Sequence, residues 1–536
     1  MMNQMHEVHE GSSDKEEEKH QERDLVEAYV AEHALESTLN DVINQMIITR
    51  PKDPILMLSS LLYERATSKR GITFVQVNEV MDAVGKPSIL VRLHTGKGVF
   101  KGCCSAEAGG ITDCEYHTDI QDDSDISISK MRYNGRGYVK IAASAQKTLT
   151  EKLMGKEPTD QNALDKILQD LETTLGRNVC LATSLALCRA GAKYADLSLC
   201  DFVSRLQELL PENQCLPMPI FSVVNGGALQ IAFEFHEALK AHFDIHGVGF
   251  TNHGAFGGLT PQFQSLHDLF VMIHAAVDDV RIRFKDLNEH TISSLSVSPL
   301  RIDFGVDFAA SEFAASATTQ NPASSESFTY NTDRWVPGSS GNFKSSEELL
   351  DIIRDNIKEF QLAMVVDPFD AGDVKSFTTL HSTLNDAERT TVASENIGID
   401  GVVDGVNEVA GLGGDARCCL QIVGRAVVER HGLTATSDER ACNTVLFVPH
   451  QFPTVSQLLQ AITTAHNLGL VVILGASAGQ FGDADVLVAL AIGAGIGQVK
   501  FGGVLGAESQ DRYQKLLIES LEPEAPPYVG AAAYRR

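Results

Sequence analysis

From Pro217 to the C-terminus, short apolar runs alternate with longer stretches of helical periodicity. The runs are Arg301–Phe308, Leu362–Phe369, Leu420–Gly424, Val445–Val448, Leu470–Leu474 and Gln498–Phe501. Turn residues bound them and helices separate them, so they read as parallel strands, because a parallel pair needs a crossover long enough to hold a helix. That many units within 215–536 predicts an α/β fold with a closed β/α barrel. The stretch 392–416 is Gly-rich and weakly patterned, and reads as an inserted loop.

A different pattern precedes the barrel. Over 72–205 strands come first and helices after, which predicts an α+β domain. Phe74-Val75-Gln76-Val77 and Ile89-Leu90-Val91-Arg92-Leu93 read as strands, and Gly96-Lys97-Gly98 as the turn before Val99-Phe100. Helical periodicity runs from 139 to 205, and 119–130, with Asp119, Asp122, Asp123 and Asp125, reads as an exposed loop.

Residues 24–68 predict a helical hairpin. Leu35, Leu39, Val42, Ile43 and Met46 recur at the spacing of one helix face. Arg50-Pro51-Lys52-Asp53-Pro54 breaks that helix, and Asp53 followed by Pro54 suits an N-cap and first helical position. Ile55, Leu58, Leu61 and Leu62 give a second apolar face. Two short one-sided helices cannot close a core alone, so a partner is expected, most simply a second copy. Residues 1–23, acidic and poor in apolar side chains, predict a disordered tail.

The 536 residues fit two to four domains at roughly 100–200 residues each. The net charge of −27 repels phosphate backbones and anionic lipid, so neither nucleic-acid nor membrane binding is expected. The ten cysteines contain no Cys-x-x-Cys, and Cys103–Cys104 and Cys418–Cys419 are adjacent pairs unsuited to zinc. Cys180, Cys188 and Cys200 sit in or beside apolar helical sequence, where cysteine acts as a small hydrophobe. No run approaches the ~20 apolar residues of a membrane span, and no signal peptide is expected, so a reducing cytoplasmic compartment is expected.

The hairpin resembles the dimerisation-docking module of protein-kinase-A regulatory subunits and of the Dpy-30 type, through its apolar helix, Arg50-Pro51-x-Asp53-Pro54-Ile55 and Leu58-x-x-Leu61-Leu62. That resemblance implies a homodimer whose four-helix bundle grips an amphipathic helix of an anchoring protein.

The remainder, from about residue 72 to 536, resembles the enolase family. Pro217-Met218-Pro219, Asn225-Gly226-Gly227, Asp307-Phe308-Ala309-Ala310-Ser311-Glu312-Phe313, Val366-Asp367-Pro368-Phe369-Asp370, Leu420-Gln421-Ile422-Val423-Gly424 and Gly497-Gln498-Val499-Lys500 match its barrel in order. Gly98-Val99-Phe100 and Asn134-Gly135-Arg136-Gly137 match its capping domain, and Tyr528-Val529-Gly530 its C-terminus. The resemblance implies proton abstraction beside a carboxylate, with Mg²⁺ holding the developing charge and a lysine as base.

The residues that would perform this chemistry are mostly replaced. Of three carboxylates expected to hold the first Mg²⁺, only Asp307 is kept; the others fall on Val366 and Arg425. The base falls on Val448, the acid/base glutamate on Phe256, and a His-Arg-Ser run on Ala476-Ser477-Ala478. The mobile-loop serine falls on Ala108 and the flexible-loop histidine on Leu229. Glu234 and Lys500 keep family-matched catalytic identities, and Asp307 a family-matched metal identity, all three read as vestigial. Arg425 is expected to replace the ion by pairing with Asp307. The stretch 234–252 is short for the family, which predicts a trimmed or missing early barrel helix.

These substitutions, with the hairpin, resemble the divergent group of enolases related to mammalian enolase 4, which implies a cilium or flagellum. The expectation is a pseudoenzyme acting as a scaffold, with no cofactor. The alternatives are an active phosphopyruvate hydratase, a Mg²⁺-dependent glycolytic lyase, and metal-independent anion binding by Arg425, Lys500 and His450 in the barrel mouth.

Overall fold

The computed structural model describes residues 26–32, 34–65, 71–83, 85–105, 137–221, 224–225, 229–253, 258–261, 266–291, 303–315, 328–334, 338–383, 420–477 and 480–535. The tail 1–23, the loops 119–130 and 392–416, and the positions Ala108, Phe256 and Ala478 lie outside the described residues.

Helices α1 (Leu35–Thr49) and α2 (Pro54–Arg65) form the hairpin. Arg50 ends α1 in the left-handed region at φ +46°, its N–H donating to the Met46 carbonyl at 3.0 Å. Asp53 Oδ1 accepts the Leu56 N–H at 2.9 Å and so starts α2. Val42 and Leu61 are buried, with Met46, Met57 and Leu58 half-buried beside them. Leu35, Leu39, Ile43 and Ile47 form a second stripe along α1, each between 38 and 58 % exposed.

The α+β unit begins with an antiparallel meander, β1 (Ile72–Met81), β2 (Pro87–Thr95) and β3 (Gly98–Ser105). Four helices follow, α3 (Val139–Leu153), α4 (Gln161–Leu175), α5 (Arg177–Tyr194) and α6 (Leu199–Leu206). Helix α5 is apolar or small on nearly every face and is buried along most of its length, as such a helix must be. Strand β3 rests directly on it at Gly102, where a Cβ would stand 1.9 Å from the Ala182 carbonyl oxygen.

The second unit opens with β4 (Met218–Phe221), β5 (Val224–Asn225) and α7 (Leu229–Ile245). A hairpin of β6 (Phe250–His253) and β7 (Leu259–Pro261) leads to α8 (Leu266–Thr291). Next come β8 (Gly305–Asp307) and a small sheet of β9 (Ala314–Ala315), β10 (Thr329–Asn331) and β11 (Phe343–Ser345). Helix α9 (Ser346–Glu359) is started by a capping box of Ser345 and Glu348. Strands β12 (Met364–Val366) and β13 (Gln421–Gly424), helices α10 (Ala426–His431) and α11 (Leu433–Asp438), and strand β14 (Thr444–Phe447) follow. The chain closes with α12 (Val455–Asn467), β15 (Val471–Gly475), α13 (Ala484–Gly493), β16 (Gln498–Gly502) and α14 (Ala507–Ser520).

All six expected runs contribute strands to one sheet, ordered β5-β4-β16-β15-β14-β13-β12-β8, parallel except for β5. Ile220, Met364, Val366, Val423, Leu446 and Ile473 form a separate apolar cluster contributed by five of its strands, the filled interior of a barrel-type sheet. Among the described residues no strand pairing joins β8 to β5, and the sheet is curled in the manner of a barrel. The early helix is not missing: α7, 17 residues long, runs into the stretch 234–252. That stretch is helical because Phe235, Leu239 and Phe243 recur on one buried face of α7.

One apolar core runs through both units. Their junction is also polar. Asp165 of α4, fully buried, accepts from Gln161 Nε2 (2.9 Å), Ser184 Oγ (2.7 Å), and the N–H (2.9 Å) and Oγ (2.6 Å) of Ser456. Ser184 Oγ accepts the Val455 N–H at 2.9 Å. The α+β unit thus caps the N-terminus of the barrel helix α12, satisfying donors that have no partner within the helix.

Candidate functional site

Three neighbouring strands end side by side at the mouth. Val366 of β12 is in register with Asp307 of β8 and with Val423 of β13. Alternation sends the Val366 side chain inward, where it is 4 % exposed and belongs to the apolar cluster filling the barrel. A carboxylate there would be a ligand; the valine is core.

Asp367, one residue on, turns away from that role. It adopts φ +41°, a region aspartate tolerates better than most residues. Its Oδ1 accepts the backbone N–H groups of Arg425 (2.8 Å) and Ala426 (3.1 Å), tying β12 to the start of α10. Burial pushes the Asp367 carboxyl up to about 6, despite the donated Arg425 N–H that lowers it; the negative charge of Asp307 adds to the rise.

Lys500 enters from β16. Its Nζ donates to Asp307 Oδ2 at 2.6 Å. Four strands separate β16 from β8 in the sheet order. At about 4.8 Å per strand, a flat sheet would hold these strands roughly 24 Å apart, so the pair spans a mouth that the curl has closed on itself. Asp307 thus has Lys500 as a partner, where the sequence alone points to Arg425. Arg425 lies near Asp367, where its charge favours the ionised carboxyl. Asp367 engages the Arg425 backbone and anchors that residue to β12 rather than to β8.

Val448 directly follows β14 and is 4 % exposed. Its Cγ2 lies against Gly475, where a Cβ would approach it to 3.1 Å. A buried alkyl group in the place of a base can neither accept a proton nor hold charge. Ser477 and His450 meet at 2.5 Å, Oγ to Nδ1, beside a small cavity lined by Leu181, Leu185, Pro449, Ala476 and Gln480. Burial lowers the His450 pKa to about 3, helped by the positive charges of Arg425 and Arg177, so this imidazole is neutral at pH 7 and a poor base.

Glu234 lies inside α7 and is half-buried, next to the buried Phe235. Leu229 is the first residue of α7. The structure thus joins two of the three expected site residues and leaves the third on a helix. Asp367 was missed by sequence reasoning, although an aspartate before proline at a strand end already signals a turn at which its side chain can cap.

Among the described residues no group of three or more His, Cys, Asp or Glu side chains is placed to hold a metal ion. A hard divalent cation needs converging oxygen ligands. The mouth offers Asp307, already paired, next to an inward valine and a cationic arginine, so its residues do not fit Mg²⁺. No described helix is long and apolar enough to cross a membrane.

Comparison with known proteins agrees with this architecture. Residues 72–203 match the family model of the enolase N-terminal domain, and residues 406–536 that of the enolase C-terminal TIM barrel domain. Cytosolic enolase 3 of Arabidopsis thaliana is 26 % identical over 94 % of this chain and 98 % of its own length. The enolases of Mastigamoeba balamuthi and Eimeria tenella are each 25 % identical over 83 % of this chain and 94 % of their own. With both domain models matched in order, relatives aligned nearly end to end, and a curled parallel sheet beneath an α+β unit, the chain belongs to the enolase family.

Proposed function

We propose that this chain is a catalytically silent enolase-family protein that works as a homodimeric scaffold. One observation carries the first half: Val366 and Val448, in the places of a metal ligand and the base, are both core residues at 4 % exposure. Restoring either function would mean burying a charge, not merely exchanging a side chain. The second half is supported by the hairpin, whose stripe of Leu35, Leu39, Ile43 and Ile47 stays exposed after α1 and α2 have packed on each other. Covering the part of each such side chain that is still exposed contributes about 1 kcal/mol, roughly half of the value for full burial, which favours a second copy there and an amphipathic helix of an anchoring protein in the resulting groove. Resemblance to the enolase-4 group points to a cilium or flagellum as the place of assembly.

The test is direct. Purified chain, given 2-phosphoglycerate across a range of Mg²⁺ concentrations, is expected to form no phosphoenolpyruvate above buffer and to sediment as a dimer. Turnover comparable to an ordinary enolase sinks the first half; a monomer sinks the second.

A further inference from the structure

We infer that the ammonium group of Lys500 is the resident cation of the barrel mouth, holding the charge of Asp307 in place of a divalent ion and tying the edge strand β8 to β16. The inference rests on the reading of a silent barrel and names what stands in the ion's place. Strand β8 has one strand partner among the described residues, β12. Along that shared edge Asp307 finds no second carboxylate to share an ion with: Val366, its register neighbour, carries no lone pair, and Asp367 Oδ1 accepts two backbone N–H groups. The Lys500 ammonium, by contrast, reaches Asp307 at 2.6 Å, in the short range of charge-assisted hydrogen bonds. The two residues are 193 positions apart in sequence, so the pair fastens a short edge strand to a strand on the far side of the mouth. An incoming cation would have to displace Lys500 from Asp307. An incoming anion would have to displace Asp307 from Lys500. The mouth is neutralised from within.

Full-length chain titrated with Mn²⁺, followed by water-proton relaxation, decides the matter without any variant. The expected result is no saturable binding at or below about 1 mM, the weak end for carboxylate cation sites. Saturable binding that Asp307→Asn abolishes overturns the inference. The tie itself is read by thermal unfolding of Lys500→Met, Asp307→Asn and the double variant. A half-exposed pair of this kind is expected to move the midpoint by about 1–3 °C in each single variant, with no further loss in the double. Additive losses overturn the tie, and Lys500→Arg retains the native midpoint if it holds. Mn²⁺ binding at Asp307 without turnover would defeat this inference alone; turnover without that binding would defeat the functional reading alone.

Discussion

Asp367 keeps a carboxyl at the mouth while giving it a structural task. Its pKa is raised from 3.8 to about 6 by burial, so between those values the folded chain holds a proton that the unfolded chain has released. Stability then falls as pH rises from about 4 through 6, by up to about 3 kcal/mol from this group. Asp367→Asn, which keeps an Oδ1 acceptor for the Arg425 and Ala426 N–H groups, is expected to flatten that part of the profile. Urea unfolding at several values between pH 4.5 and 7.5 checks it; an unchanged slope would remove Asp367 as the cause. Val448 makes the complementary case. Val448→Lys places an ammonium where the native side chain is 4 % exposed, so it is expected to destabilise by several kcal/mol and to confer no turnover. Calorimetry and the phosphoenolpyruvate assay read the two effects separately.

At the scale of elements, the hairpin separates two kinds of leucine that its sequence pattern merges. Leu61 is buried between α1 and α2, whereas Leu39 and Ile43 lie on the uncovered stripe. Leu61→Asp is expected to cost helicity, because it opens the hairpin's own small core. Leu39→Asp with Ile43→Asp is expected to leave the helices intact and to abolish the dimer. Circular dichroism and sedimentation of the full chain distinguish these outcomes, and a dimer that survives the double substitution rules out the stripe as the interface.

The α+β unit and the barrel-type sheet are joined by one apolar core and by the cap that α4 and α5 supply to α12. Asp165 is buried with four hydrogen bonds, and burial raises its pKa against the pull of the Ser456 and Ser184 donors. Asp165→Ala leaves the Ser456 donors without their acceptor and is expected to destabilise by about 3–5 kcal/mol. Differential scanning calorimetry should then show the α+β unit and the barrel-type sheet beginning to unfold separately, where the unaltered chain is expected to unfold in one transition. A variant that still melts in one transition at the native midpoint would show that the shared apolar core alone couples the units.

Much of this was legible in the chain. The apolar runs had to be strands of a parallel sheet, because nothing but a buried sheet accommodates so many short unbroken apolar segments between helices. Asp53 before Pro54 started its helix, since capping is a local matter decided within three residues. The apolar character of positions 366 and 448 was equally plain, and no fold could turn either valine into a ligand or a base. The partner of Asp307 was not legible. Local spacing favours Arg425, two strands away, yet the curl of the sheet delivers Lys500 across the mouth. The environment of Glu234 was hidden for the same reason: its Glu-Phe motif reads identically on a strand or a helix, and the buried face of α7 decided for the helix. Periodicity and caps are short-range and survive in one dimension. Ion pairs between distant strands depend on how the sheet bends, and only packing sets that.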